Sequence, residues 1–109
     1  MEFATLLSSH NGKPVLGLVG EIDIATVPRC SDAINKFVTD NAGTDLLLDF
    51  SHLTALDDTG LGIILGAAGR ARNAGGDIAL VVADERMRQR LDITGLSRAL
   101  RVHHSINEA

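Results

Sequence analysis

The hydrophobic pattern opens with two short runs that predict a β-hairpin. Residues 3–8 partly alternate between apolar and polar side chains, and residues 15–19 are continuously apolar apart from one glycine. Between them, Asn11-Gly12 supplies the positive φ values that a tight hairpin turn requires. The continuous run is typical of a strand that is buried on both faces.

Three later stretches have the spacing of helices. The first follows Thr26, a suitable N-cap, and the second spans residues 60–73. The third is short, is capped by Asp84 and ends before Gly95. The predicted inner faces of the first two are Val27, Cys30, Ile34, Phe37 and Val38, and Leu61, Ile64, Leu65 and Ala68. The small residues of the second helix are expected to let it lie close to a sheet; they are Gly62, Gly66, Ala67, Ala68 and Gly69.

Short apolar runs predict buried strands at residues 46–48 and 78–82, the first of them closed by Asp49, and residues 100–103 are predicted as a last strand. The resulting order is β-β-α-β-α-β-α-β. Strands separated by helices pair in parallel through right-handed crossovers, and the opening hairpin makes the sheet mixed. The pattern therefore predicts one α/β domain over residues 1–109, with helices packed against a central sheet.

Composition narrows the possible functions. The 109 residues carry a net charge of −4, and 45% of them are hydrophobic, which excludes a disordered chain. No apolar run approaches the roughly 20 residues of a membrane span, and the first residues do not resemble a secretory signal. The acidic balance and the 3% of aromatic residues argue against nucleic-acid binding. The single cysteine, Cys30, is expected to lie in the core of a cytoplasmic protein.

The segment Asp57-Asp58-Thr59-Gly60-Leu61-Gly62 is the strongest candidate for a functional site. In a purely structural interpretation, Asp58 or Thr59 caps the second helix. In a functional interpretation, Thr59 presents a hydroxyl at an exposed helix start, where a phosphate would add roughly −1.5 to −2 charges. Such a charge would oppose docking at a protein interface, because burying an unpaired charge costs several kcal/mol.

Other chemistry is less well supported. Gly60-x-Gly62 with Gly66 suggests a dinucleotide loop, but the third glycine position is Leu65 and residues 51–58 separate the motif from its strand. Asp49 could be a receiver-type phosphoacceptor, but the required late lysine is missing. No residues have the spacing of metal ligands or call for a cofactor. Arg86, Arg88 and Arg90 are expected to form a solvated helix face with Asp84 and Glu85.

Several segments together resemble the STAS domain family, and within it the anti-sigma factor antagonists. The resemblance covers nearly the whole chain. The matching segments are Gly20-Glu21-Ile22-Asp23, Leu46-Leu47-Leu48-Asp49-Phe50-Ser51, Asp57-Asp58-Thr59-Gly60-Leu61-Gly62, Ala74-Gly75-Gly76 and Thr94-Gly95-Leu96. Asp58 stands where antagonists often carry a serine. The family usually continues into a full final helix, which is expected to be short or absent here.

The resemblance implies a regulatory binding protein without catalysis. It would bind an anti-sigma factor, usually a serine kinase, and so release a sigma factor. The kinase would phosphorylate Thr59 and end binding, and a phosphatase would reverse the modification. The resemblance places Asp23, Asp57, Asp58, Thr59 and Gly60 on or near the binding surface. The alternative is an unphosphorylated STAS adaptor in a stress-signalling or transporter complex, with Asp58 as a fixed charge.

Overall fold

The hairpin and the helical crossovers build one five-stranded sheet. The computed structural model describes residues 3–109. The strands are β1 (Ala4–His10), β2 (Lys13–Ile22), β3 (Asp45–Leu56), β4 (Asp77–Val81) and β5 (Arg101–His103). The helices are α1 (Val27–Asp40), α2 (Asp58–Asn73), α3 (Glu85–Thr94) and α4 (Leu96–Ala99), followed by a 3-10 turn at Ile106–Glu108. Among the described residues, α4 is the one α-helix that the sequence pattern did not predict.

The strands lie side by side in chain order, β1-β2-β3-β4-β5. The first pair is antiparallel and the other three are parallel, which confirms the mixed sheet. The hairpin turn is also confirmed, because Asn11 and Gly12 have φ values of 51° and 80°. Since every parallel crossover steps in the same direction, right-handed connections place the crossover helices on one face of the sheet.

The core lies between that face and the helices. Leu16, Leu48 and Leu80 are in register across three neighbouring strands and are all buried. Against them α1 packs the predicted Cys30, Ile34, Phe37 and Val38, and α2 packs Leu61, Ile64, Ala67, Ala68 and Ala71. The opposite face of the sheet is covered at Val15 and Leu47, which are paired and buried. The first half of β2 is therefore buried on both faces, as its apolar run predicts.

The third strand is much longer than predicted. Asp49 does not end it; residues 51–56, expected to be a loop, continue β3 and pair with the end of β2. The register between the two strands shifts twice along this stretch, so β3 carries extra residues. As a result the core residues Phe50, Leu53 and Leu56 lie three positions apart instead of two. Because of this spacing, residues 51–56 lack the alternation of apolar and polar side chains that identifies a strand.

The prediction that small residues let α2 lie close to the sheet is confirmed for Ala67 and Ala68 but is wrong for Gly62, Gly66 and Gly69. A Cβ at Gly62 or Gly69 would meet nothing within 4 Å, and one at Gly66 would meet only an arginine side chain of the same helix. The close contacts come from the buried Ala67 and Ala68. Leu65, predicted on the inner face, is 48% exposed. Within residues 3–109, no helix has both the length and the apolar character needed to cross a membrane.

Candidate functional site at the start of helix α2

The candidate segment is anchored by Asp57, which occupies the N-cap of α2. Its Oδ1 accepts a hydrogen bond from the Gly60 N–H at 3.1 Å, and its own N–H donates to the Ile22 carbonyl oxygen at 3.0 Å. The prediction that Asp58 or Thr59 caps α2 is wrong, because both residues lie within the first helical turn. Asp57 therefore joins the start of α2 to the end of β2 and leaves the next two side chains free of capping.

Gly60 fixes how closely this turn approaches the sheet. It is buried, and a Cβ there would lie 2.6 Å from Leu56 Cδ1 and 2.8 Å from Ile22 Cγ2. Any side chain at position 60 would therefore force Leu56 or Ile22 to move. The structure thus places Gly60 beneath the surface, as a support for Thr59; contact between Gly60 and a partner stays a prediction.

The neighbouring loop between β2 and α1 is held by its own hydrogen bonds. Asp23 Oδ1 accepts from the N–H groups of Ala25 and Thr26, at 2.9 and 3.0 Å. Thr26 Oγ1 donates to the Glu21 carbonyl oxygen at 2.7 Å and accepts from the Asp23 N–H at 2.9 Å. Thr26 therefore occupies the N-cap of α1 without capping it, contrary to the sequence prediction. Asp23 shapes the loop that lies beside the start of α2.

Asp58 and Thr59 are both exposed on the first turn of α2. The Asp58 side chain is 89% exposed, and its Oδ1 accepts a hydrogen bond from Arg90 Nη2 at 2.6 Å. Arg90 belongs to α3 and was predicted to lie on the solvent-exposed face of that helix. No local pattern predicts this ion pair, because 32 positions separate its members.

The loop and the helix next to the start of α2 also carry exposed apolar side chains. Ile24, in the loop after β2, is 87% exposed, and Ile93, one turn beyond Arg90 on α3, is 86% exposed. A shallow groove of about 170 Å³ runs between α2 and the junction of α3 and α4. It is lined by Leu61, Gly62, Leu65, Thr94, Gly95, Leu96 and Ala99. This mixture of apolar and charged groups is typical of a surface that binds another protein.

Outside this region, the described residues include a buried cysteine and a second groove. In the chain from residue 3 onward, no three His, Cys, Asp or Glu side chains gather closely enough to hold a metal ion. Cys30 is buried in the core, as predicted, and desolvation raises the pKa of its thiol to about 11. The thiol is thus protonated at neutral pH. A larger groove of about 520 Å³ lies where β3, β4 and β5 begin, and contains none of the predicted site residues.

Comparison with known proteins agrees with this architecture. The family model described as STAS domain matches residues 6–109. The chain belongs to the STAS domain family. This STAS domain is 30% identical over 103 residues to the anti-sigma-F factor antagonist RsfB of Mycobacterium tuberculosis, covering 94% of this chain and 83% of that protein. It is 29% identical over 85 residues to the anti-sigma-B factor antagonist of Listeria monocytogenes, covering 78% and 74%.

A solved structure shows the same fold. The crystal structure of an anti-sigma factor antagonist from Mycobacterium paratuberculosis matches this STAS domain with a TM-score of 0.87 and 26% identity. The match covers 98% of this chain and 90% of that one. The resemblance to STAS domains and the predicted α/β fold are both confirmed. The roles of Asp23, Asp57, Asp58, Thr59 and Gly60 toward a partner stay predictions.

Proposed function

We propose that this STAS domain is an anti-sigma factor antagonist that phosphorylation of Thr59 switches off. The observation that carries the proposal is the position of Thr59, an exposed hydroxyl on a helical turn that the Asp57 cap and the buried Gly60 hold against the sheet. Relatives named as anti-sigma factor antagonists support the choice of partner. The unmodified domain would bind an anti-sigma factor and thereby release a sigma factor into the cytoplasm.

The switch requires one phosphoryl transfer. Thr59 Oγ1 attacks the γ-phosphorus of ATP bound to the anti-sigma kinase, the bond to the β-phosphate oxygen breaks, and ADP leaves. The hydroxyl proton passes to a base of the kinase. A phosphatase reverses the step by transferring the phosphoryl group to water. The STAS domain itself supplies only the hydroxyl and its position.

The negative charge of a phosphate on Thr59 is enough to end binding. The phosphate adds roughly −1.5 to −2 charges beside Asp58, whose carboxylate repels it by roughly 1 kcal/mol in a water-like dielectric. The free domain tolerates that cost. In a docked complex the same charge would have to be removed from water, and a loss of about 3 kcal/mol weakens binding about 150-fold.

Binding measurements with defined phosphorylation states test the proposal. The partner is first captured from the native cell with the unmodified domain and identified. Calorimetry then compares unmodified protein, Thr59→Ala, and protein carrying genetically encoded phosphothreonine at position 59. Phosphothreonine at Thr39, exposed on α1, is the matched control. We expect the modification at position 59 to weaken binding at least ~100-fold, and the other two changes to leave affinity nearly unaltered.

The proposal fails if phosphorylation at position 59 leaves the affinity unchanged. Intact-mass measurement after incubation with the captured kinase and ATP adds a second criterion. The phosphate should appear once, and it should disappear in Thr59→Ala. Phosphate that persists in Thr59→Ala would assign the modification to another residue.

One observation favours a second candidate, an adaptor that is never phosphorylated. The exposed carboxylate of Asp58 already places a fixed charge beside Thr59. Such an adaptor, in a stress-signalling or transporter complex, would bind its partner equally well as wild type and as Thr59→Ala, and no phosphorylated form would occur in cells. Intact-mass measurement of the protein isolated from its native cell therefore distinguishes the two functions.

A further inference from the structure

We propose that Arg90 changes partner when the switch operates: it pairs with Asp58 in the unmodified domain and with the phosphate after Thr59 is phosphorylated. This inference rests on the proposed function and concerns the regulation of the same site. The observation behind it is the contact between α3 and α2. Arg90 Nη2 lies 2.6 Å from Asp58 Oδ1, on the residue immediately before Thr59.

The two carboxylates beside Thr59 have different roles. Asp57 is committed to the Gly60 N–H as the helix cap. Asp58 makes no cap, and its negative charge is met by the Arg90 guanidinium. Arg90 therefore compensates the charge that Asp58 places next to the acceptor hydroxyl. A kinase or a partner that approaches the unmodified turn meets an ion pair instead of a bare carboxylate.

This ion pair is weak enough to exchange. The side chains of Arg90 and Asp58 are 37% and 89% exposed, and ion pairs that are this open to solvent contribute little to stability. A phosphate dianion carries about twice the charge of a carboxylate and offers three acceptor oxygens, which suit the planar fork of an arginine. Thr59 directly follows Asp58 on the first turn of α2, so a phosphate there lies on the residue next to the present partner of Arg90. The guanidinium is thus expected to move to the phosphate and leave Asp58 unpaired.

The charged groups around the phosphate can be named. Asp57 caps α2 and Asp58 lies on its first turn, Arg90 approaches from α3, and Asp23 lies in the loop after β2, where its carboxylate accepts hydrogen bonds from two backbone N–H groups. The three carboxylates favour the monoanionic phosphate, whereas Arg90 favours the dianion. The second pKa of the phosphothreonine therefore reports directly on Arg90.

The test uses protein with phosphothreonine encoded at position 59, so that neither kinase nor partner is needed. Phosphorus NMR titrations compare the otherwise unchanged phosphoprotein with Arg90→Gln and with the control Arg86→Gln, an exposed arginine one turn earlier on α3. We expect Arg90→Gln to raise the phosphate pKa by roughly half a unit or more, and Arg86→Gln to change it much less. Equal pKa shifts in both variants would show that the phosphate responds only to the net charge of the protein, and this would overturn the proposal.

Arginine side-chain NMR provides the second readout. In the unmodified protein, Asp58→Asn should shift the Arg90 Nε–H resonance, because it removes the partner of the guanidinium. In the phosphoprotein the same substitution should leave that resonance nearly unchanged, since Arg90 has moved. An equal response in both forms would show that Arg90 stays on Asp58. These results are independent of partner affinity, so the exchange and the proposed function can fail separately.

Discussion

Replacing Gly60 by alanine tests how the structure positions Thr59. The added methyl group would lie 2.6 Å from Leu56 Cδ1 and 2.8 Å from Ile22 Cγ2. Both neighbours are buried core side chains, at 3% and 0% exposure, so neither can swing into solvent. The substitution must therefore push the first turn of α2 away from the sheet or distort the core beneath it.

The size of the effect follows from two opposed terms. Overpacking a well-packed core costs about 1–3 kcal/mol, whereas replacing glycine by alanine within a helix gains about 0.5–1 kcal/mol. The net expectation for Gly60→Ala is a loss of roughly 1–2 kcal/mol in the free energy of unfolding. For a domain of this size, each kcal/mol lowers the melting temperature by about 4 °C.

The chain provides its own control in the same helix. At Gly69 an added Cβ would meet nothing within 4 Å, so Gly69→Ala should stabilise the domain by about 0.5–1 kcal/mol. Urea and thermal unfolding followed by far-ultraviolet circular dichroism suit a chain without tryptophan or tyrosine. If Gly60→Ala proves as stable as Gly69→Ala, the close approach of α2 to Ile22 and Leu56 does not constrain the site.

Three further predictions concern other parts of the fold. Asp57→Ala should lower the free energy of unfolding by about 1 kcal/mol through loss of the helix cap, measured by urea unfolding, whereas Asp58→Ala should change it by less than about 0.5 kcal/mol. Cys30 has its pKa raised from 9.0 to about 11 in the folded state, so its stabilising contribution is complete below pH 9 and is lost as pH rises toward 11. The difference in stability between wild type and Cys30→Ala should therefore shrink over that window. Gly76→Ala should destabilise more than Gly60→Ala, because its methyl group would overlap the backbone carbonyl of Thr44, and thermal unfolding measures both.

Each of these has a result that contradicts it. Equal losses in the two aspartate variants would mean that the cap lies elsewhere than Asp57. A stability difference between wild type and Cys30→Ala that stays constant from pH 9 to pH 11 would show that the thiol is not desolvated. A Gly76→Ala variant as stable as wild type would show that the start of β4 does not lie against Thr44.

The sequence predicts the architecture well because its local signals agree with the final contacts. The Asn11-Gly12 turn, the inner face of α1 and the end of α3 at Gly95 all depend on residues close together in the chain, and the structure confirms each. The second half of β3 was missed for a physical reason. Two register shifts against β2 give its buried residues a spacing of three, which breaks the alternation of a regular strand.

The motif at residues 57–62 identified the candidate site, but it did not predict which residue caps α2 or that Asp58 pairs with Arg90. Asp58 and Thr59 were the predicted helix caps, whereas the structure gives this role to the preceding Asp57, whose N–H also bonds to Ile22 on β2. The pairing of Asp58 with Arg90 depends on how α3 folds back onto α2. Both features arise from tertiary contacts, which spacing along a single chain does not encode.

The agreement between strand order and chain order has a consequence for synthesis on the ribosome. Each newly translated strand finds the growing edge of the sheet already formed, since its neighbour has just left the exit tunnel. No early strand has both of its edges unpaired until the last strand of the chain is translated. Assembly can proceed vectorially, with each parallel crossover closing only the separation between successive strands, so the nascent chain avoids the long waiting times that non-local pairing imposes.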